Sequence, residues 1–544
     1  MTTPTFSRRF RAPLAGAIVA LCAISAAPAA SAPNPPRVLS VEPANLSVEV
    51  SRSTSVVVNL SEPLSGASVG RSTVRIIRPD GRRVRGSYNT DAAGSLVSFT
   101  PRRDLKARRK YTVRVTEDLK TANGESFARH TSTFTTGSLG QAESGLSFQR
   151  TTTGGLTAPT AVTRGPDRRL YVATGIGQIL RYDLDANGVP TGEPEEFTPF
   201  GAYSRTIIGL RFDPAATAST LKLWVSHNAL GITNMANYTG KVSVLTGPGL
   251  SARDVIVGLP RSVKDHMTNG LDFGPDGRLY VAQGSNNGYG GAESGWGRRE
   301  EDPLSAAILV ADVNAPGFPA RVDVNPSVYD ADAASAPVRR YATGVRNAYD
   351  LVWHPNGKLY APVNESAGGS SPAGPGGSPP ALSDLPAGRD FLADIQPGRY
   401  YGHPNPSIGK FVLNGGNPTA GVDPWEVPQY PVDTRPDGAW LRPLHDFGTH
   451  RSANGVTVYR NTGAFGGRLS GHLLVAEFSN GDDIVDLALG PDGRITSATP
   501  LVDERFNNPL DVFANARQGT IYVVEYGDSE TGEGGAITTL RPLG

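Results

Sequence analysis

Apolar and polar positions alternate along this chain over short runs that end in Gly, Pro, Asn or Asp. Between residues 36 and 137 the runs TSVVVNLSEPL, TVRIIRPDG, SLVSFTPRRDL, KYTVRVTEDL and TSTFTTG follow one another. Their spacing of roughly ten residues predicts a small β-sandwich. From residue 146 the pattern changes. An apolar strand, a turn and a second apolar strand recur at 157–185, 205–228, 269–285, 349–366, 453–493 and 508–528. A strand–turn–strand unit repeated with unequal insertions is the inner half of a propeller blade. The predicted fold class is therefore all-β, a β-sandwich over 36–137 followed by a six-bladed β-propeller over 146–544. LSFQRTTTGGL (146–156) is expected to close the ring as an outer strand of the last blade, and SLGQAESG (138–145) reads as a polar linker. The insertions fall on loops. The longest, ESAGGSSPAGPGGSPPALSDLPAGRD (365–390), is too rich in Gly, Ser and Pro to be expected to form a core. A long ordered loop in a compact fold is usually functional.

Composition narrows the class without naming a chemistry. Gly 64 and Pro 44 among 544 residues fit a turn-rich β protein. The net charge of +1 gives no global field that would draw nucleic acid or an anionic membrane, and neither is expected as a partner. The N-terminus changes the picture more. Arg8, Arg9 and Arg11 precede an apolar run that ends in small residues near Ala30–Ala32, the pattern of a cleaved signal peptide over 1–32. SRRFR resembles a twin-arginine signal, and ordinary Sec export suits it equally. The expectation is a secreted, periplasmic or cell-surface protein without stable membrane insertion. The only cysteine, Cys22, lies inside this segment, and Leu21 stands where a lipoprotein site needs a small residue. The mature chain then has no disulfide, no thiolate nucleophile and no cysteine-bound metal.

The third repeat, DHMTNGLDFGPDGRLYVAQGS (265–285), carries His266 just before its first strand, beside Asp265 and near Asn269. An isolated histidine is more often a hydrogen-bonded structural residue. At the start of an inner blade strand, however, it can reach an axial pocket, and an imidazole with an ordinary pKa of about 6.5 suits a general base. GVRNAYDLVWHPNG (344–357) places Arg346 and Asn347 at the equivalent point of the next repeat. There they offer either a cation and an amide to a ligand or an inter-blade salt bridge. YDLDANGVPTGE (182–193) has Asp183, Asp185 and Asn187 spaced as in a calcium loop, but the twelfth position counted from Asp183 is Pro194, so a hairpin turn is expected. No phosphate loop, GxSxG elbow or HExxH motif occurs.

Two resemblances add to this reading. VEPANLSVEVS, NLSEPLSGASV, VSFTPRRDLKARRKYTVRV and STFTTG resemble, in order and spacing, bacterial Ig-like domains of surface proteins. Arg102, Arg103, Arg108, Arg109 and Lys110 in that module are expected to be a solvated face. GLRFDP, DHMTNGLDFGPDGRLYVAQGSN, EDPLSAAILVADVN, YATGVRNAYDLVWHPNGKLY and PGRYYGHPNPS occur in that order. Over about 150–525 they look like the signatures of the glucose/sorbosone dehydrogenase family of soluble quinoproteins. That resemblance implies pyrroloquinoline quinone (PQQ) and Ca2+ in the axial pocket of a six-bladed propeller. It implies a sugar or polyol substrate and an external electron acceptor. His266 falls on the family's base, Arg346 on its companion, and Asn347 and Asn286 on cofactor contacts. Asn364, Glu365 and Asp390 fall on the calcium stretch.

The chain also departs from that pattern. The calcium stretch reads Asp390-Phe391-Leu392-Ala393, a late lysine is replaced near Phe478-Ser479-Asn480, and Asn508-Pro509-Leu510 stands where the family has two arginines. The lost cations would have neutralised the cofactor's three carboxylates. Arg442, His450 and Arg451 are the candidate replacements, with Arg442 and Arg451 as cofactor-binding cations. The leading expectation is an exported sugar or polyol dehydrogenase. The alternatives are a non-catalytic propeller that binds glycan or protein at the cell surface and a calcium-dependent lactone hydrolase.

Overall fold

The computed structural model describes residues 35–43, 45, 50, 54–91, 94–103, 105–106, 108–136 and 146–543. The signal segment with Arg8, Arg9, Arg11 and Cys22, and the linker 138–145, lie outside the described residues. Among the described residues no helix is long and apolar enough to cross a membrane.

The N-terminal module is two packed antiparallel sheets. Val38–Glu42, Val56–Leu60, Leu96–Pro101 and Gly86–Thr90 form one, and Val74–Ile77, Lys110–Val115 and His130–Thr135 form the other. The alternating side chains of Lys110–Val115 explain the pairing: Tyr111, Val113 and Val115 point inward onto Val56, Val58 and Phe99.

Residues 146–543 contain six successive antiparallel sheets of four principal strands, whose first strands begin at Pro159, Arg205, Thr268, Val352, Ala453 and Pro509. The second sheet gains a short fifth strand, Val322–Asp323, in parallel. The sixth sheet takes its outermost strand, Phe148–Leu156, from the start of the region, paired antiparallel with Gly535–Pro542. The first strands touch in a closed cycle, each on the next and the sixth on the first. A buried apolar cluster fills every gap in that cycle, including the last, where Leu156 and Val162 pack with Tyr522 and Ile537. Aromatic pairs mark the seams, with Tyr171 edge-on to Phe212 at 4.9 Å and Trp224 to Phe273 at 5.8 Å.

The repeated sequence unit has a local physical meaning. In GPDRRLY and GPDGRLY the turn aspartate, Asp167 or Asp276, accepts the amide of Arg169 (3.2 Å) or Arg278 (3.1 Å) with one oxygen. Its other oxygen accepts the hydroxyl of Tyr171 (2.7 Å) or Tyr280 (2.8 Å) on the second strand. Each turn is thus tied to the strand it feeds. YDLDANGVPTGE is a hairpin turn, in which Asp185 accepts the amides of Asn187 and Val189, both at 2.8 Å. The insertion 365–390 departs from expectation. Gly369–Ser371 pairs with Leu382–Leu385, and Leu382 and Leu385 are buried with Tyr289, Leu413, Val427 and Tyr430. A few apolar residues suffice because the neighbouring loops supply the rest of that small core.

Near the axis of the ring stand two aspartates, Asp511 on the first strand of the sixth sheet and Asp350 just ahead of that of the fourth. Asp511 accepts the amide of Val162 at 2.8 Å on the next sheet, and Asp350 accepts that of Val456 at 3.3 Å. Glycines opposite make room: a Cβ on Gly270 would stand 2.3 Å from Asp350 Oδ1, and one on Gly455 2.4 Å from Asp511 Oδ1. Burial raises both carboxyls, Asp350 well above the usual range and Asp511 to about 7. The folded state therefore holds protons that the unfolded chain releases near pH 4. Their contribution to stability is full below that pH and fades as pH climbs toward about 7. Melting temperature should fall between pH 5.5 and 8, and Asp511→Asn, although less stable at pH 5.5, should flatten that fall. A wild-type profile that rises over this range would contradict the assignment.

Candidate functional site

The site forms where loops enter the third, fourth and fifth sheets. The turn 262–266 is cinched by the Ser262 hydroxyl, which accepts the amides of Lys264 (3.0 Å) and His266 (3.1 Å). This delivers a buried His266 just ahead of Thr268–Phe273. Its Nδ1 lies 3.1 Å from the Ser285 carbonyl and 2.9 Å from the Ser285 hydroxyl. The carbonyl can only accept, and the hydroxyl gives its proton to the Asn287 carbonyl at 2.8 Å. Nδ1 must therefore carry the hydrogen, which leaves the lone pair on Nε2. No hydrogen bond to Nε2 occurs among the described residues. Burial first, and then the Arg346 guanidinium, hold the imidazole well below its ordinary pKa. It is a neutral base at pH 7.

Arg346 is buried beside it, with Nε on the Gly288 carbonyl and Nη1 on the Asn364 carbonyl, both at 3.0 Å. Asn347 is held by Asn269, whose amide donates to Asn347 Oδ1 at 2.8 Å and to the Ala348 carbonyl at 2.9 Å. Close packing requires glycine at 284, because a Cβ there would stand 2.9 Å from Asn347 Oδ1 and 3.0 Å from His266 Cβ. Trp296 covers the group. Its ring is 4.6 Å from that of His266, with the Arg346 guanidinium at 5.8 Å and Lys264 Nζ at 4.7 Å.

Glu365 and Asp390 form the acidic wall. Asp390 accepts the amides of Glu365 (2.8 Å) and Ser452 (2.7 Å), and burial raises it to about 6. Glu365 is buried with both carboxyl oxygens unpartnered, and desolvation raises it to about 8. Asn364 donates to Asn454 Oδ1 at 2.7 Å while its own Oδ1 is unpartnered. Among the described residues no group of three or more His, Cys, Asp and Glu is set to hold a metal, so a cation here would draw further ligands from amide and backbone oxygens.

Asn286 is fully buried, held by its backbone amide on both Glu301 oxygens (3.0 Å each) and by its side chain on Asp302 Oδ2 at 2.7 Å. Sequence reasoning missed the rest of what Glu301 does. It also accepts the Asn287 amide, the Ser305 hydroxyl and His403 Nε2 at 3.0 Å. A carboxylate facing only donors places a hydrogen on Nε2, and the buried Nδ1 of His403 has no partner among the described residues. The signal available was His403 in YYGHP, one of only eight histidines in the chain. Trp296 was also unforeseen; it sits in the Gly-rich stretch GGAESGWGRR.

The structure assembles His266, Asn286, Arg346, Asn347, Asn364, Glu365 and Asp390, and it leaves out the expected replacement cations. Arg442 is largely exposed and faces Asp423 at 3.6 Å. Arg451 is committed to Glu477, with Nε–Oε2 at 2.8 Å, and to the Asn480 carbonyl. His450 is lowered to about 4, chiefly by burial, and carries no charge. These side chains already have partners or lack a proton, which is why the sequence pattern misled.

Residues 32–136 match the family model of the bacterial Ig-like domain. The N-terminal module is a bacterial Ig-like domain. No curated protein matches the chain. Among solved structures it is similar to a putative oxidoreductase (glucose dehydrogenase) from Thermus thermophilus, at 20% identity and TM-score 0.47, over 72% of this chain and 100% of that one. It is also similar to the PQQ-bound aldose sugar dehydrogenase of Streptomyces coelicolor, at 18% and 0.47, over 73% and 99%. A Trichoderma reesei family AA12 carbohydrate-active enzyme in a calcium structure is similar at 16% and 0.47, over 74% and 96%.

Glu301→Gln should turn an amide N–H2 toward existing donors and cost about 3 kcal/mol of stability, as for a broken buried charge network. Urea unfolding measures it. A loss below about 0.5 kcal/mol would contradict the hydrogen-bond assignment.

Proposed function

We propose that this chain is an exported quinoprotein-type oxidoreductase that oxidises a sugar or polyol hydroxyl, built as an Ig-like domain followed by a six-bladed β-propeller. The closed cycle of six sheets supports the architecture. One observation carries the activity: a buried, neutral imidazole with its hydrogen fixed on Nδ1 and its lone pair free on Nε2, beside a guanidinium.

Calcium fits the residues present. Glu365 brings two unpartnered buried carboxyl oxygens, and hard oxygen donors are what this ion takes. PQQ fits only with that cation in place. With Glu365 and Asp390 ionised against Arg346 the local charge is −1, which repels a tricarboxylate; a divalent ion makes it +1. Arg346 and Asn347 would then hold the cofactor's polar edge, with Asn286 behind them. A quinone held there would supply hydride-accepting chemistry toward the substrate carbon. The chain's own part is the proton. His266 Nε2 accepts it from the substrate hydroxyl, and the developing imidazolium is supported through Nδ1–H by the Ser285 carbonyl. The depressed pKa keeps this base unprotonated below neutrality and returns the proton readily to solvent. Arg346, held by two carbonyls, cannot swing away as charge develops.

Purified protein given Ca2+ and PQQ should reduce an electron-accepting dye with at least one sugar or polyol. His266→Gln, with its melting temperature unchanged, should lose at least about 100-fold in kcat/KM, the scale of general-base catalysis. Because Glu365 must shed a proton that it holds up to about pH 8, calcium affinity should rise up to tenfold per pH unit between pH 6 and 8. Isothermal titration calorimetry reads this, and Glu365→Gln should abolish it. A folded protein that is inert at every quinone and calcium concentration would favour the second reading, a glycan-binding propeller. That reading is supported by the engagement of Arg442 and Arg451 elsewhere.

A further inference from the structure

The near-zero net charge of the whole chain conceals a separation. Residues 36–136 carry 17 Lys and Arg against 9 Asp and Glu, a net +8, while residues 137–544 carry 32 against 42, a net −10. Within the Ig-like domain the positive charge is gathered rather than spread. The turn 78–83 is closed by Arg78 and Gly81 amides on the Arg82 and Arg78 carbonyls. The Arg102 amide donates to the Arg85 carbonyl at 2.9 Å, and the Lys106 amide to the Tyr111 hydroxyl at 2.8 Å. These bonds bring 82–85 and 102–106 together around one surface cavity lined by Arg82, Arg83, Arg85, Arg102, Arg103 and Lys106, with Arg78 at its edge. The six are exposed. Arg78 is paired with Asp80 at 2.9 Å, and among the described residues none of the other six has a carboxylate partner.

Among the described residues these six cations make no ion pair and repel each other, and of their side chains only Arg83 is bonded into the fold, donating to the Arg71 carbonyl at 2.9 Å; the backbone bonds that shape the cavity use no charged side chain. The dominance of arginine matters, because its planar fork pairs bidentately with carboxylates and phosphates. The cavity's aromatic and apolar lining consists of Tyr111 and Leu105, both buried, and the half-buried Val84. It therefore lacks the stacking platforms that hold unpaired bases and the apolar wedge that enters a lipid surface. What the cavity matches is an extended polyanion, and a chain of carboxylates suits the planar arginine forks.

We propose that this face of the Ig-like domain binds an acidic, uronate-bearing polysaccharide and so holds the catalytic region against a polyanionic matrix. The preference for a polysaccharide rests on the reading of an exported sugar-oxidising protein. The binding assay needs no quinone or turnover, so the two readings fail separately. Full-length protein at about 20 mM salt should be retained by immobilised polygalacturonate and released as salt rises, as contacts between exposed charges are screened. R85Q/R102Q/R103Q should weaken retention at least tenfold, with melting temperature and dye reduction unchanged. Polyphosphate and duplex DNA are the parallel arms. Weaker binding to both than to polygalacturonate supports the proposal. Tighter binding to either, absence of retention at that low salt, or an unaffected triple variant would overturn it.

Discussion

Phe148–Leu156 pairs along its whole length with Gly535–Pro542, and on that pairing the functional face depends. The first strands of the six sheets meet through packed side chains and a few hydrogen bonds, among them the carboxylates of Asp272, Asp350 and Asp511 on neighbouring amides, rather than through a continuous backbone ladder. The strand borrowed from the N-terminal end of the region completes the sixth sheet and presses Leu156 into the apolar seam with the first. His266, Arg346 and Asp390 are separated by up to 124 residues. They meet because contacts between successive first strands bring three neighbouring sheets together.

Once the ring is closed, desolvation governs the chemistry. The same burial acts in opposite directions on the two kinds of group. It lowers His266 and keeps it neutral, and it raises Glu365, Asp390 and Asp511. A site with one guanidinium, a neutral imidazole and two costly acids attracts a cation before it attracts an anion. Trp296 strengthens the effect by lying across His266 and Arg346, and it is pinned in turn through its loop, where Glu293 accepts the Ser370 amide at 2.8 Å.

The Ig-like domain is tied to this region rather than merely adjacent in sequence. Glu42 pairs with Arg389, which also holds Asp446 at 2.6 Å, and Arg389 directly precedes the site's Asp390. The domain thus carries its cationic cavity on a body anchored next to the acidic wall.

Alternation and Asp-Gly turns act over a few residues, so the strand pattern, the turn chemistry of GPDGRLY and the order of the six repeats were legible in the chain itself. So were His266 and Arg346-Asn347, which stand at equivalent points of consecutive repeats. The remainder was settled by contacts between distant segments. Which nitrogen of His266 carries the hydrogen follows from Ser285 and Asn287, and the Glu301–His403 pair joins residues 102 positions apart. That Arg442 and Arg451 are unavailable depends on Asp423 and Glu477, whose proximity no local pattern encodes. The Ig-like domain shows the same division: its arginines are visible in the sequence, but pairing between strands gathers them around one cavity. Charge, protonation and free valence at a site belong to groups brought together from distant parts of the chain.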